Sequence, residues 1–378
     1  MRITESPYHE RIKAKESIPY YQPWLGEEEL AHLTDVIRND WISEGPKTAE
    51  FERRIAQAWG VKHAIAVSNC TAALIISLKA LGIGEGDEVI APAFTFIATI
   101  NAIRLAGVTP VLVDIDARTF NIDPDQIEAA ITSRTKAIVP VHLYGQAADM
   151  ERIMSIAHRH GLHVIEDTAQ GVGVRFLDRS VGSFGDFGCL SFFADKSLTT
   201  GEGGVVLTNS DELATEIQYW KNDGRLERGL YYHYRIGYNF RVTDLQMAVG
   251  LGQMDKLEAI VQRKLRNERL YRQCLADVEE VAFPYEDPRG DRVPHRVNIL
   301  VDDPEALAER LAKEGIGCRR FFIPINQQPC YNGAFAGSFP NAEVAYSRGL
   351  SLPSSPLLRE EQIAHVSEQI RAYFKGRR

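Results

Sequence analysis

The chain has 378 residues, 44% hydrophobic and 25% charged, with 43 Lys and Arg against 51 Asp and Glu for a formal net charge of -8. This composition excludes the disordered and fibrous classes, and the length accommodates one large domain and a smaller one. The acidic balance leaves no electrostatic footprint for DNA or RNA, so no nucleic acid partner is expected.

Residues 1–25 mix Arg2, Glu5, Glu10, Arg11, Lys13 and Lys15 without an apolar core, unlike a secretory signal, and the protein is expected in the cytoplasm. Runs rich in Val and Ile then recur at His63 to Val67, Glu88 to Ala91, Pro110 to Asp114, Ala137 to Val141, His163 to Asp167, Gly188 to Phe192 and Gly204 to Thr208. Most lack period-two alternation, as strands buried on both faces do. Amphipathic segments such as Thr71 to Leu81 and Asp149 to His160 separate them, which predicts an α/β fold with a mostly parallel seven-stranded sheet. Functional residues in such a fold gather at the carboxyl ends of the strands.

The most apolar stretch, Val89 to Ile103, is interrupted by Pro92, Thr95, Thr99 and Asn101 and falls short of the roughly 20 apolar residues of a membrane helix, so no span is predicted. Cys70, Cys189, Cys274, Cys318 and Cys330 are scattered without a CxxC pair, which fits reduced thiols and gives no zinc site. His158, His160 and His163 fall at the polar end of a helix and the start of the next strand, and no metal is expected there.

From Thr243 the apolar residues Met247, Leu251, Met254, Leu257, Val261, Leu265 and Leu270 recur mostly at three- and four-residue steps, predicting one long linking helix. A strand at Val297 to Val301, a helix after Pro304, an extended segment at Cys318 to Ile323 and a helix at Arg359 to Phe374 follow. The expected organisation is an N-terminal segment at 1–25, a large α/β domain at 26–245, and at 246–378 the linking helix with a small α+β domain.

Several residues carry chemistry in this frame. Ser68-Asn69-Cys70-Thr71 opens a helix after a strand, where free amides suit a phosphate, although Ser or Asn also serves there as a simple cap. Phe96, past the second strand, is either a core residue or a plate for a flat ring. Asp167 ends a buried strand, where it either caps the next helix or holds a cation. Lys196 follows the apolar run from Leu190 and Ser191; apolar neighbours there lower an amine's pKa and make it a nucleophile, whereas an outward lysine would only face water. Gly237-Tyr238-Asn239-Phe240-Arg241 offers an amide and a guanidinium before the long helix. Together, an anchor for phosphate, an aromatic plate, an acid for a ring nitrogen and a lysine for an aldehyde are what pyridoxal 5'-phosphate requires.

The motifs Asn39-Asp-Trp-Ile-Ser-Glu-Gly-Pro46, Ala91-Pro-Ala-Phe-Thr-Phe-Ile-Ala-Thr99, Glu166-Asp-Thr-Ala-Gln170, Gly182-Ser-Phe-Gly-Asp186, Gly237-Tyr-Asn-Phe-Arg241 and Leu350-Ser-Leu-Pro353 resemble the DegT/DnrJ/EryC1/StrS sugar aminotransferases, which are fold type I enzymes. The resemblance implies that Lys196 bonds the cofactor covalently, that Asp167 pairs with its pyridinium nitrogen, that Gln170 bonds its phenolic oxygen and that Phe96 stacks on its ring. It also implies phosphate contacts from Cys70, Thr71 and Ser191, with Asn239 supplied by the neighbouring subunit of a homodimer that shares its active sites. Cys70 stands where many relatives have Gly or Ala, and Asn326 where a histidine is often found. Glu202, Arg241 and Asn326 are the candidate substrate contacts.

The implied reaction is ping-pong: an amino group passes from glutamate to the cofactor and then to a nucleotide-linked keto-sugar. Lysine in place of the histidine of a dehydrating branch selects amino transfer. The Thr199-Thr-Gly-Glu-Gly-Gly204 stretch is similar to that of GDP-perosamine synthases, which makes C4 of GDP-4-keto-6-deoxymannose the expected acceptor, in O-antigen or surface-glycan synthesis. UDP- or dTDP-linked 3- or 4-keto-6-deoxy sugars are the alternative acceptors, and a sensor that keeps the cofactor fold without turnover is the alternative class.

Overall fold

The computed structural model describes residues 17–226, 231–335 and 337–376. The Val- and Ile-rich runs pair into a central sheet: β1 (His63–Val67), β2 (Glu88–Pro92), β3 (Thr109–Val113), β4 (Thr135–Ile138), β5 (His163–Asp167), β6 (Phe187–Ser191) and β7 (Gly204–Thr208). Their spatial order is β1-β7-β6-β5-β4-β2-β3. Neighbours from β3 through β6 pair in parallel, and β7 alone runs against its neighbours β1 and β6. The sheet is therefore the mostly parallel one expected, with strand limits displaced by at most three residues from those predicted.

Helices cover both faces, which is why the strands read as continuous apolar runs. On one face the helix Cys70–Ala80 is buried along most of its length and packs with Ile65, Ile103, Ile165 and Val206. On the other, Phe51 and Ile55 of helix Pro46–Trp59 and Met247 and Leu251 of helix Asp244–Asp255 meet Val205 and Leu207 of β7. Each such side chain gains about 1.5–3 kcal/mol from burial. Phe51 also sets its ring edge-on to Phe192, centroids 5.3 Å apart.

A second sheet is antiparallel, β8 (Val297–Leu300), β10 (Gly349–Leu352) and β9 (Arg319–Arg320) in spatial order. Tyr271 of helix Leu257–Cys274, Leu307 and Leu311 of helix Pro304–Lys313, and Ile363, Val366 and Ile370 of helix Glu360–Lys375 build its core.

The long helix expected from Thr243 is two helices, Asp244–Asp255 and Leu257–Cys274, broken at Lys256, whose φ of -119° and ψ of 14° lie outside the helical range. The break has an ionic cause. Lys256 Nζ turns to the carboxylates of Glu29 at 2.8 Å and Glu28 at 3.1 Å, and Gln253 donates to Glu29 at 2.7 Å. Both pieces keep their apolar face against a core, so the periodicity runs through the break unmarked. No helix among the described residues is long and apolar enough to cross a membrane, and no cluster of metal-binding side chains occurs among them.

The amino end of β6 is held by close backbone approach. A Cβ added at Gly188, the second residue of β6, would stand 2.1 Å from the carbonyl oxygen of Gly182. Gly188→Ala must then displace backbone, at a cost of about 1–3 kcal/mol. Thermal denaturation is expected to show a melting temperature several degrees below wild type; an unchanged melting temperature would contradict this packing.

Candidate active site

The carboxyl ends of β1, β2, β5 and β6 open on a cavity of about 810 Å³, lined among others by Asn69, Cys70, Thr71, Phe96, Asp167, Gln170, Ser191 and Lys196. At one end is the start of helix Cys70–Ala80. Asn69 caps it by accepting from the Ala72 amide at 2.8 Å, so the expected cap is present. The amides of Cys70 and Thr71 remain without intrahelical acceptors, as at any helix start, and form the positive end of the helix dipole. Ser191, which ends β6, brings a hydroxyl beside them. Gly204 permits the crowding: a Cβ there would lie 2.8 Å from the Cys70 nitrogen.

Adjacent residues of β5 point to opposite sides. Glu166 has no exposed surface and accepts from the amides of Gly182 at 2.7 Å, Phe184 at 2.6 Å and Gly185 at 2.8 Å. His142 completes its shell: the Ala148 amide donates to Nδ1 at 3.1 Å, so the ring proton sits on Nε2 and is given to Glu166 at 2.9 Å. Asp167 faces the cavity and is only 5% exposed. The Thr99 hydroxyl donates to its Oδ2 at 2.7 Å and the Ala169 amide to its Oδ1 at 3.1 Å. Burial pushes the Asp167 carboxyl above its usual range, while those two hydrogen bonds and the Lys196 charge pull the other way. A carboxylate so placed is stabilised by a cationic N–H in the cavity.

Lys196 lies in the turn after β6, its backbone anchored by its own amide on the Phe193 carbonyl at 2.9 Å and by the Tyr21 hydroxyl on its carbonyl at 2.8 Å. Burial lowers its pKa; Arg296 acts in the same sense, and Asp195, Cys70 and Asp167 oppose. Gln170 accepts from the Tyr144 amide through Oε1 at 2.6 Å, which leaves its –NH2 as a donor on the cavity wall. Phe96 takes the second of its two roles: it is 54% exposed on the cavity, its ring centre 5.5 Å from that of Phe322, whereas Phe94 two residues earlier is core.

Glu202 also lines the cavity. Asn239, Arg241 and Asn326 do not line it within one chain. Asn239 is exposed, Arg241 is held by Asp223 at 2.5 Å and Asn222 at 2.9 Å, and Asn326 lies in the turn Ile325–Gln327 with a buried Oδ1 that has no hydrogen-bond partner among the described residues. The structure adds residues that pattern alone did not mark. Arg296, Arg319, Arg320 and Phe322 line the wall opposite the sheet, and Thr99, legible only as a polar interruption of an apolar run, is the hydroxyl partner of Asp167. The adjacent arginines at 319 and 320 were the available signal.

Free amides and a hydroxyl for a phosphate, a carboxylate for a protonated ring nitrogen, an –NH2 for a phenolic oxygen, an amine for an aldehyde and an exposed ring beside them make a donor and acceptor set that fits pyridoxal 5'-phosphate.

A model of the DegT/DnrJ/EryC1/StrS aminotransferase family matches residues 23–371. The spore coat polysaccharide biosynthesis protein SpsC of Bacillus subtilis is 39% identical over 96% of this chain and 99% of its own. The GDP-perosamine synthase of Escherichia coli O157:H7 is 38% identical over 95% of this chain and 99% of its own. A UDP-N-acetyl-3-dehydro-alpha-D-glucosamine 3-aminotransferase of Acidithiobacillus ferrooxidans is 39% identical over 93% and 95%. Among solved structures, the PLP form of the putative sugar aminotransferase Spr1654 of Streptococcus pneumoniae superimposes with a TM-score of 0.90 at 28% identity, covering 94% of this chain and 98% of that one.

A buried lysine lies beside the site without lining it. Lys264 is 1% exposed, donates from Nζ to the His295 carbonyl at 3.0 Å and sits 5.3 Å from the centre of the Tyr21 ring. Burial pulls its pKa from the ordinary 10.5 to about 7. Between those values the unfolded chain holds a proton the folded chain has lost, so this group's contribution to stability rises with pH across that window. The melting temperature of wild type relative to Lys264→Met should climb from pH 7 toward 10.5. A difference that stays constant across that range would show that Lys264 does not titrate in it.

Proposed function

The chain belongs to the DegT/DnrJ/EryC1/StrS aminotransferase family and is a pyridoxal-phosphate-dependent sugar aminotransferase, and we propose that it moves the amino group of glutamate to C4 of GDP-4-keto-6-deoxymannose. The observation that carries the catalytic reading is the convergence of Lys196 and Asp167 on one cavity with Gln170 and Phe96. The choice of acceptor is supported by the Thr199–Gly204 stretch and by the similarity to a GDP-perosamine synthase. The product would serve an O-antigen or another surface glycan in the cytoplasmic stage of its synthesis.

When bound, pyridoxal phosphate supplies an electrophilic carbon and a ring that accepts electrons. In our reading the amides of Cys70 and Thr71 and the Ser191 hydroxyl hold the phosphate, joined by Asn239 of a second copy in a homodimer. Asp167, oriented by Thr99 and Ala169, keeps a proton on the ring nitrogen, and Gln170 donates to the phenolic oxygen. Phe96 covers the ring and excludes water from one side. Lys196 Nζ has no hydrogen bond or ion pair among the described residues, and burial favours its amine form, so it takes a proton from the substrate carbon and returns one as general base and acid. The same residues act in both half-reactions. Glu202, Arg241 and Asn326 are proposed substrate contacts, the latter two through closure of the site by the second copy or by the small sheet.

A UDP-linked 3-keto sugar is the second acceptor to test, because a relative of similar identity carries the name of a UDP-N-acetyl-3-dehydro-alpha-D-glucosamine 3-aminotransferase. Purified enzyme with glutamate is to be offered GDP-, UDP- and dTDP-linked 3- and 4-keto sugars, with products identified by NMR. Amination at C4 of the GDP-linked sugar is expected, and Lys196→Ala should lose turnover by several orders of magnitude. Amination of only a UDP- or dTDP-linked sugar, or at C3, would replace the proposed acceptor.

A further inference from the structure

Lys196 has to hold the cofactor, leave it, and then carry a proton back to the same place. Its Nζ has no hydrogen bond or ion pair among the described residues. The place of the amine is therefore set by the lysine's backbone, with nothing holding its tip.

Both backbone groups of Lys196 are taken. Its amide donates to the Phe193 carbonyl at 2.9 Å, which closes the turn after β6. Its carbonyl accepts from the Tyr21 hydroxyl at 2.8 Å, across 175 positions of chain, and no backbone amide among the described residues reaches it. Burial, with the Asp195 charge acting in the same sense, pushes the Tyr21 phenol above its ordinary value, so it stays a donor throughout the neutral range.

Tyr21 is itself held from outside the large sheet. Ile18 bridges Ile316 in parallel, its amide donating to the Gly315 carbonyl at 3.0 Å and its carbonyl accepting from the Gly317 amide at 2.9 Å. The Ser354 amide donates to the Tyr20 carbonyl at 3.2 Å, and the Ser355 hydroxyl to the Gln22 carbonyl at 2.7 Å. Those partners lie just before β9 and just after β10 of the small sheet. The Tyr21 ring rests beside Lys264 of helix Leu257–Cys274, with Nζ 5.3 Å from its centre. Residues 18–22 thus form a strap bonded to the small sheet's connections, and a phenol on that strap reaches the turn of the large sheet that presents the reacting amine. A second link runs beside it, from Arg296 to Asp195 at 3.0 Å. That pair holds a side chain, whereas Tyr21 holds the Lys196 backbone.

We propose that Tyr21 is a positioning residue for Lys196: its hydroxyl fixes the lysine backbone, so that little ordering remains when Nζ bonds the cofactor. This rests on the assignment of Lys196 as the lysine that bonds pyridoxal phosphate. The consequence is selective. Pyridoxal phosphate can bond a lysine and pyridoxamine phosphate cannot, so poorer positioning costs the first and spares the second.

The test is equilibrium titration of the full chain, stripped of cofactor, with pyridoxal phosphate and with pyridoxamine phosphate. The ratio of the two dissociation constants in wild type, set against that in Lys196→Ala, measures what the lysine bond adds. Tyr21→Phe keeps the ring and removes one oxygen. It should weaken pyridoxal phosphate about fivefold and leave pyridoxamine phosphate at its wild-type value, as expected for loss of one hydrogen bond. Ser355→Ala removes a strap hydrogen bond that does not touch Lys196, and should keep the wild-type ratio. A wild-type ratio in Tyr21→Phe, or a ratio shifted as far in Ser355→Ala, would overturn the role of Tyr21 and leave the proposed function standing. A wild-type ratio in Lys196→Ala would overturn the assignment of Lys196 and this inference together.

Discussion

A carboxyl group with no exposed surface, Glu166, holds the functional edge of this molecule together. Three backbone amides and the His142 imidazole satisfy it. An ionised group in the interior is tolerable only when its hydrogen-bonding capacity is filled in this way. The cost of leaving any of those donors unpaired is of order 1–3 kcal/mol each, so the clamp fixes the Gly182–Gly185 loop, the turn before helix Met150–His160 and the end of β5 as one unit. Because neighbouring side chains of a strand point to opposite faces, fixing Glu166 inward fixes Asp167 outward into the cavity.

The rest of the site follows from that orientation. Burial costs the Asp167 carboxylate more than the Thr99 and Ala169 hydrogen bonds and the Lys196 charge return, a deficit that a protonated ring nitrogen would remove. Lys196 arrives from the next strand over, β6, which pairs in parallel with β5, Glu166 opposite Gly188 and Asp167 opposite Cys189. The helix start at Cys70 arrives from β1 across β7, whose first residue must be glycine to let the two backbones meet. Acid, amine and anion cradle thus reach one cavity through three strand ends of a single sheet.

Much of this was legible in the chain. Parallel strands buried on both faces leave uninterrupted apolar runs, and all seven strands of the sheet coincide with such runs. The Asp, Lys and helix-start residues stood out because each is a polar group at the end of such a run. What stayed hidden depends on partners distant in sequence. Lys256 breaks a helix because of Glu28 and Glu29, more than two hundred positions away. Thr99 became meaningful only when the fold set it against Asp167, and the amides that satisfy Glu166 come from a loop after it. Arg319 and Arg320 have no periodicity that says they face a cavity built mostly by another sheet. Asn239 owes its proposed role to resemblance alone, since within one chain it is exposed and away from the cavity.

The half-buried Lys196 and the buried Lys264 both have depressed pKa values, and geometry tells them apart: Lys196 lines the cavity with Asp167, whereas Lys264 donates to a carbonyl behind it. The direct test is to reduce the pyridoxal-phosphate-loaded enzyme with borohydride, digest it and locate the phosphopyridoxyl group by mass spectrometry. A single modified peptide carrying the group on Lys196 is the predicted result. Modification of Lys264 or of any other lysine, or a protein that takes up no cofactor, would contradict the assignment.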